Sequence, residues 1–99
     1  MSAKFNELVQ SERPVVINFF ATWCQPCKVM ASVLNSVKRN VEEGARIVKI
    51  DIDQYQSIAA EYGVRSVPTT MIFKSGELLF RQSGVMDVNS LTTELKKYI

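Results

Sequence analysis

The chain has 99 residues, which suits one domain and excludes a two-domain enzyme. Hydrophobic residues make up 46% and charged residues 22%, a balance that is typical of a folded globular chain and excludes a disordered one. The net charge of +2 is too small to indicate binding to nucleic acid or to an anionic membrane.

The first predicted elements are a short helix and a strand. Apolar residues at helical spacing predict a helix over residues 4–11, and Pro14 prevents its continuation. The apolar and β-branched run Val15–Phe20 then predicts a central strand that is covered on both faces. The apolar positions of the helix are Phe5, Leu8 and Val9.

A long amphipathic helix is predicted from Gln25 to Glu43, and Gly44 is expected to end it. Residues 46–52 predict a second strand, and the order strand, helix, strand favours a right-handed parallel crossover. The helix's apolar stripe consists of Val29, Met30, Val33, Leu34, Val37 and Val41.

The remaining pattern predicts a short helix over residues 55–62, a strand at Thr70–Phe73 and a strand at Leu78–Arg81. Ser75 and Gly76 lie between these two strands, which favours an antiparallel hairpin. Asp87 is suited to cap a final helix. One face of that helix would bear Leu91, Leu95 and Ile99, with Lys96 and Lys97 near its negative end.

These elements predict an α/β fold: a four-stranded mixed sheet with helices on both faces, forming a single domain over residues 1–99. Every apolar run is too short to span a membrane. The N-terminal residues lack the charged and apolar regions of a secretory signal, so we expect a cytoplasmic protein.

The chemistry-bearing residues are Cys24 and Cys27, because the sequence contains no other cysteine and no histidine. Without histidine, the usual hydrolase nucleophile pairs are excluded, and a structural zinc site would need ligands from a second chain. A structural disulfide of such short spacing would stabilise the fold weakly. The spacing favours reversible dithiol–disulfide exchange, and we expect no metal and no bound cofactor.

The two cysteines are predicted to play different roles. Cys24 follows a buried strand and precedes a helix, where unpaired N–H groups should lower the pKa of its thiol and make it the nucleophile. Cys27 lies one turn further along, and we expect it to be more buried and to act as the resolving thiol. Pro26 suits the first helical turn and stiffens the loop between the cysteines.

The segment Trp23-Cys24-Gln25-Pro26-Cys27-Lys28 resembles the active-site motif of the thioredoxin family. The resemblance continues, in order, through nearly the whole chain. Its further parts are Phe19-Phe20-Ala21, Ser66-Val67-Pro68-Thr69, Phe73-Lys74-Ser75-Gly76-Glu77 and Gly84.

This resemblance implies that a cis peptide bond precedes Pro68 and that Pro68 faces the dithiol. The backbone of Val67 could then pair with an extended substrate. The implied docking surface consists of Trp23, Val67, Pro68, Gly84 and Val85. Two of these have simpler interpretations, since Trp23 could serve only in packing and Gly84 only in a turn.

The chain departs from the family pattern at three places. Asn18 stands where similar thioredoxins carry a buried acid that relays a proton. Because Asn18 cannot titrate, we expect Cys27 to lose its proton through water or with help from Lys49. Asn18 could equally be a core amide, and Lys49 a solvated surface residue. Gln25 replaces the usual glycine and, being uncharged, favours reductant-like behaviour. The usual N-terminal edge strand is expected to be absent.

The resemblance implies a protein-disulfide reductase that is recharged by an NADPH-dependent flavoprotein, a thioredoxin reductase, and that acts on disulfide-containing client proteins. A monomer is sufficient for this role. Two alternatives remain open: a binding module whose cysteines are incidental, and a disulfide donor or isomerase, which a reducing cytosol disfavours.

Overall fold

The computed structural model describes residues 3–99. None of the helices in that range is both long and apolar enough to cross a membrane. The elements, in chain order, are α1 (Ala3–Val9), β1 (Val15–Phe20), α2 (Gln25–Val41), a 3₁₀ helix (Glu42–Gly44), β2 (Arg46–Asp51), α3 (Gln56–Glu61), β3 (Thr69–Lys74), β4 (Glu77–Ser83) and α4 (Val88–Lys96).

The four strands form one mixed sheet in the order β2-β1-β3-β4. Strand β2 is parallel to β1, whereas β3 is antiparallel to both β1 and β4. The predicted four-stranded mixed sheet is confirmed. Within residues 3–99, β2 and β4 therefore form the two edges of the sheet.

Strand β1 is buried on both faces because helices cover both sides of the sheet. Val16 packs in a core with α2 and α4, whereas Ile17 and Phe19 pack in a second core with α1 and α3. Successive side chains of a strand point to opposite faces, and each face of β1 therefore needs apolar residues. This explains why the run Val15–Phe20 is apolar almost throughout and does not alternate.

The buried stripe of α2 is narrower than the sequence predicts. Val29 is 56% exposed, so its assignment to the core was wrong. The helix also ends at Val41 and not at Glu43, because Glu42 adopts a φ of +49° and a 3₁₀ helix follows. The residues of α2 that are buried are Cys27, Met30, Leu34, Val37 and Val41.

The C-terminal helix is also shorter than predicted. Leu91 and Leu95 are fully buried, as expected, but α4 ends at Lys96 and Ile99 is 56% exposed. Ile99 lies beyond the helix and rests beside Gly44, where an added Cβ would come within 3.1 Å of Ile99 Cδ1. The prediction that Ile99 continues the buried face of α4 was therefore wrong.

Candidate active site

Cys24 and Cys27 form a disulfide at the N-terminus of α2, with their Cα atoms 5.3 Å apart. Cys24 is the N-cap residue and has an extended backbone, and its amide donates to the Ala21 carbonyl over 3.2 Å. Pro26 lies in the first helical turn, where a missing N–H removes no intrahelical bond. Strand β1 therefore ends before Ala21, the chain turns there, and a helix begins at the cysteine pair.

The two sulfurs differ in their hydrogen bonding and not in their burial. Cys24 is 5% and Cys27 4% exposed, so the expectation that Cys27 is distinctly more buried was wrong. The Cys27 amide, however, donates to Cys24 Sγ over 3.1 Å. A donor at a helix N-terminus favours negative charge on the atom that accepts it, and this arrangement distinguishes Cys24 as the better thiolate.

The segment before β3 approaches the disulfide through its backbone. Cys24 Sγ lies 3.6 Å from the Val67 carbonyl oxygen, and the peptide bond between Val67 and Pro68 is cis. Val67 is half-buried and packs against the cluster that Ala21, Cys24 and Cys27 form. Pro68 itself is buried, so its place in the shallow docking surface stays a prediction. The exposed contribution of this segment comes from Val67.

The loop that carries Val85 is held at both ends. The Gly84 amide donates to the Pro68 carbonyl over 2.8 Å, and the Met86 amide lies 3.5 Å from Met30 Sδ in α2. Val85, between these two contacts, is 44% exposed. Gly84 has a φ of +89°, which favours glycine at this position. These contacts hold the loop against Pro68 and α2, and they thereby fix the position of the exposed Val85 side chain.

Trp23 is anchored by a residue that the sequence analysis missed. Its indole Nε1 donates to Asp53 Oδ2 over 2.9 Å, although the side chain is 68% exposed. Asp53 follows β2 and Trp23 follows β1, and the carboxyl ends of parallel strands meet at the same end of a sheet. That topology is the signal that could have predicted the pair. The packing-only interpretation of Trp23 is difficult to reconcile with this exposure.

Asn18 is a buried amide whose hydrogen bonding is incomplete. It is fully buried in β1, and its Nδ2 donates to Thr70 Oγ1 over 3.5 Å. Its Oδ1 has no hydrogen-bond partner among residues 3–99. By strand alternation it points to the same face as Val16, which α2 covers. An unpartnered acceptor therefore lies in the core beneath the helix that carries both cysteines.

Lys49 is opposite Asn18 in the register of β1 and β2, but its ammonium group is directed elsewhere. Lys49 is exposed, and its Nζ lies 4.6 Å from the centre of the Phe20 ring. This cation–π contact accounts for the position of the side chain without Asn18. Gln25 is exposed between the cysteines.

Of the predicted site residues, Val67 contacts Cys24 directly, and Gly84 is linked to the disulfide only through Pro68.

The arrangement can carry out thiol–disulfide exchange. One sulfur lies at a helix N-terminus, a second lies within bonding distance, and the Val67 carbonyl lies beside the first. The exposed Trp23 directly precedes Cys24 in the chain. Across residues 3–99 no group of three or more Cys, Asp or Glu side chains is arranged to hold a metal ion.

Comparisons with known proteins agree on one family. The family model described as Thioredoxin matches residues 1–97. A thioredoxin from Porphyra purpurea is 41% identical over 93 residues, which cover 94% of this chain and 87% of that protein.

Solved structures give the same result. A mutant thioredoxin from Halobacterium salinarum superposes with a TM-score of 0.89 at 30% identity, over 99% of this chain and 85% of that one. The oxidised mitochondrial thioredoxin 3 from Saccharomyces cerevisiae has a TM-score of 0.85 at 33% identity, over 95% and 87% of the two chains.

Proposed function

Since the chain belongs to the thioredoxin family, we propose that it reduces the disulfides of client proteins with electrons carried by Cys24 and Cys27. It is a dithiol–disulfide oxidoreductase with the activity of a protein-disulfide reductase. The observation that carries this function is the Cys24–Cys27 disulfide at the N-terminus of α2.

The exchange takes place in two steps. The Cys24 thiolate attacks one sulfur of the client disulfide, forms a mixed disulfide, and the other client sulfur leaves as a thiolate that takes up a proton. The Cys27 thiolate then attacks Cys24 Sγ and releases the second client thiol. The client gains two electrons and two protons, and the chain is left with the Cys24–Cys27 disulfide.

The client approaches along the Val67 backbone. The Val67 carbonyl lies 3.6 Å from Cys24 Sγ, so an extended client segment that pairs with Val67 would bring its disulfide to the nucleophile. Val85 supplies exposed apolar contact area in the loop that is bonded to Pro68, and Trp23 supplies more next to Cys24 in the chain. Backbone pairing with few side-chain contacts suits a reductase that accepts several clients.

Loss of the Cys27 proton does not use a buried acid at position 18, because Asn18 cannot titrate. Water is the acceptor that we favour. The Lys49 ammonium lies over Phe20, so help from Lys49 would require that side chain to move. The uncharged Gln25 favours a reductant, because it adds no cation to stabilise the thiolate.

The dithiol is restored by a thioredoxin reductase, an NADPH-dependent flavoprotein whose flavin belongs to that partner. This cycle requires a reducing compartment, and we propose the cytoplasm as its location. A monomer is sufficient, because the disulfide, the Val67 segment and the Gly84 loop all come from one chain.

The test measures reduction of a protein disulfide with a small dithiol as recycler, after subtraction of the uncatalysed rate. We expect rapid turnover by the native chain and none by Cys24→Ser. A folded native chain that gives no acceleration, or a Cys24→Ser variant that remains active, would contradict the reductase. The latter result would favour a binding module.

A further inference from the structure

Strand β2 leaves one edge of the sheet open. The Arg46 amide donates to the Pro14 carbonyl over 3.0 Å, and the Ile52 amide donates to the Phe20 carbonyl over 2.9 Å. Because successive N–H groups of a strand point to opposite edges, even-numbered residues face β1 and Ile47 and Lys49 direct their N–H and C=O groups outward. Within residues 3–99, no other strand pairs with this edge.

Two grooves flank this open edge, one on each face of the sheet. The first lies between α1 and α3 and contains Lys4 and Lys49. The second lies beside α2 and contains Lys38 and Lys49. The residues that line these two grooves include lysines and apolar side chains and no carboxylate. The adjoining surface adds Glu7 and Glu43, together with the basic side chains of Arg13 and Arg46. Basic side chains therefore outnumber carboxylates around the open backbone groups, and the groove between α1 and α3 adds apolar surface.

We propose that β2 binds an extended, acidic segment of a partner protein as an added fifth strand. The outward groups of Ile47 and Lys49 would supply the backbone hydrogen bonds. Side chains of the segment would alternate between the two grooves, with the carboxylates on the α2 side, where they meet Lys38 and Lys49, and the apolar side chains in the groove between α1 and α3. This surface lies outside the dithiol site, and its use requires no cysteine.

Charge distinguishes this occupant from a second copy of the chain. Edge-to-edge pairing of two β2 strands would bring the lysines of both copies together, and facing like charges are destabilising. Lysines on an edge strand also guard against indiscriminate pairing. The same lysines that oppose self-association therefore select a partner of opposite charge.

Binding is tested with a short fluorescent peptide of alternating valine and glutamate, followed by anisotropy. We expect saturable binding that weakens with added salt, and none for a peptide of alternating valine and lysine. The variant Lys38→Glu/Lys49→Glu should bind about tenfold more weakly. The matched charge reversal Lys28→Glu/Lys96→Glu, at exposed lysines outside both grooves, should bind like the native chain.

Amide hydrogen exchange then locates the peptide. The amides of Ile47 and Lys49 should become protected on binding, whereas those of Val48 and Ile50 should be protected in the free chain already. Three results would overturn the proposal: no binding, equal weakening by both double variants, or protection confined to other residues. Protection of Ile47 and Lys49 that rises with protein concentration in the absence of peptide would instead identify a second copy as the occupant.

These readouts do not depend on the cysteines. The Cys24→Ser variant should bind the peptide like the native chain, so failure of the edge proposal and failure of the reductase function are distinguishable.

Discussion

The sulfur of Cys24 lies 3.6 Å from the carbonyl oxygen of Val67, although 43 positions separate the two residues. The next carbonyl, that of Pro68, accepts the Gly84 amide over 2.8 Å. Two separate segments thus meet at the disulfide, the start of α2 and the segment before β3, and the loop after β4 is bonded to the second of them. Changes in one segment should affect client binding without touching the sulfurs.

Replacing Gly84 by alanine tests the loop that carries Val85. An alanine there would be strained by the φ of +89°, at a cost of about 1 kcal/mol, although the new methyl group would meet no atom within 4 Å. Relief of that strain should weaken the bond to Pro68. We expect a raised KM for a protein disulfide and little change in kcat.

Gly63→Ala is the matched control, because Gly63 also has a positive φ, +62°, and open space around the added carbon. It should lower stability to a similar extent and leave KM unchanged. Equal KM values for the two variants would contradict a docking role for the Gly84 loop.

The bond between Trp23 and Asp53 is tested by Trp23→Phe, Asp53→Ala and the double variant. Removing the donor or the acceptor frees the exposed aromatic ring at position 23, and kcat/KM for a protein disulfide should fall by up to about tenfold. The double variant should be no worse than the more damaging single one, because both remove the same bond. Strictly additive losses in kcat/KM would show that the two residues act independently.

Replacing Asn18 by aspartate introduces a carboxyl group into the core, where burial raises the pKa of an acid. The folded state then holds the proton more tightly than the unfolded state. Stability of Asn18→Asp should therefore be greatest at low pH and fall as the pH rises through the raised value. Denaturant unfolding at several pH values measures this slope, which the uncharged variant Asn18→Ser should lack.

The same variant tests proton transfer from Cys27. If Asn18 forces the proton to leave through water, Asn18→Asp should change the rate or the pH profile of mixed-disulfide resolution. An unchanged rate and profile would show that position 18 takes no part.

Asp87 caps α4 and provides a second pH-dependent test. The Ser90 backbone and side chain both donate to its carboxylate, which lowers the pKa of Asp87 from its usual value of 3.8. A carboxylate whose pKa is lower in the folded state than in the unfolded state stabilises the fold at pH values above the unfolded-state pKa. That contribution disappears as the pH falls through the folded-state pKa. Asp87→Ala should lower Tm by a few degrees near pH 7, with the difference from the native chain vanishing in acid. A constant difference in Tm across this range would contradict the charge-dependent cap.

The sequence predicts the sheet well because its strongest signals are local. The apolar run Val15–Phe20 is long enough to require cover on both faces, and Ser75-Gly76 leaves room only for a tight turn. Helix ends are less predictable. The positive φ of Glu42 ends α2 before Gly44, and nothing in the apolar pattern indicates it.

The residues that were placed wrongly depend on contacts between distant segments. Val29 has the right character for the α2 core, but the turn of the helix leaves it beside the buried stripe. The partner of Trp23 could not be read from local spacing, because Asp53 reaches it only after the parallel crossover aligns β1 and β2.

The most direct test of the account is capture of the intermediate. A reduced Cys27→Ser variant, mixed with a disulfide-containing client protein, should accumulate a stable mixed disulfide at Cys24 that peptide mass spectrometry can locate. The Cys24→Ser variant should accumulate far less. A mixed disulfide that forms mainly at Cys27 in Cys24→Ser, with none at Cys24 in Cys27→Ser, would reverse the assigned roles and contradict the proposed mechanism.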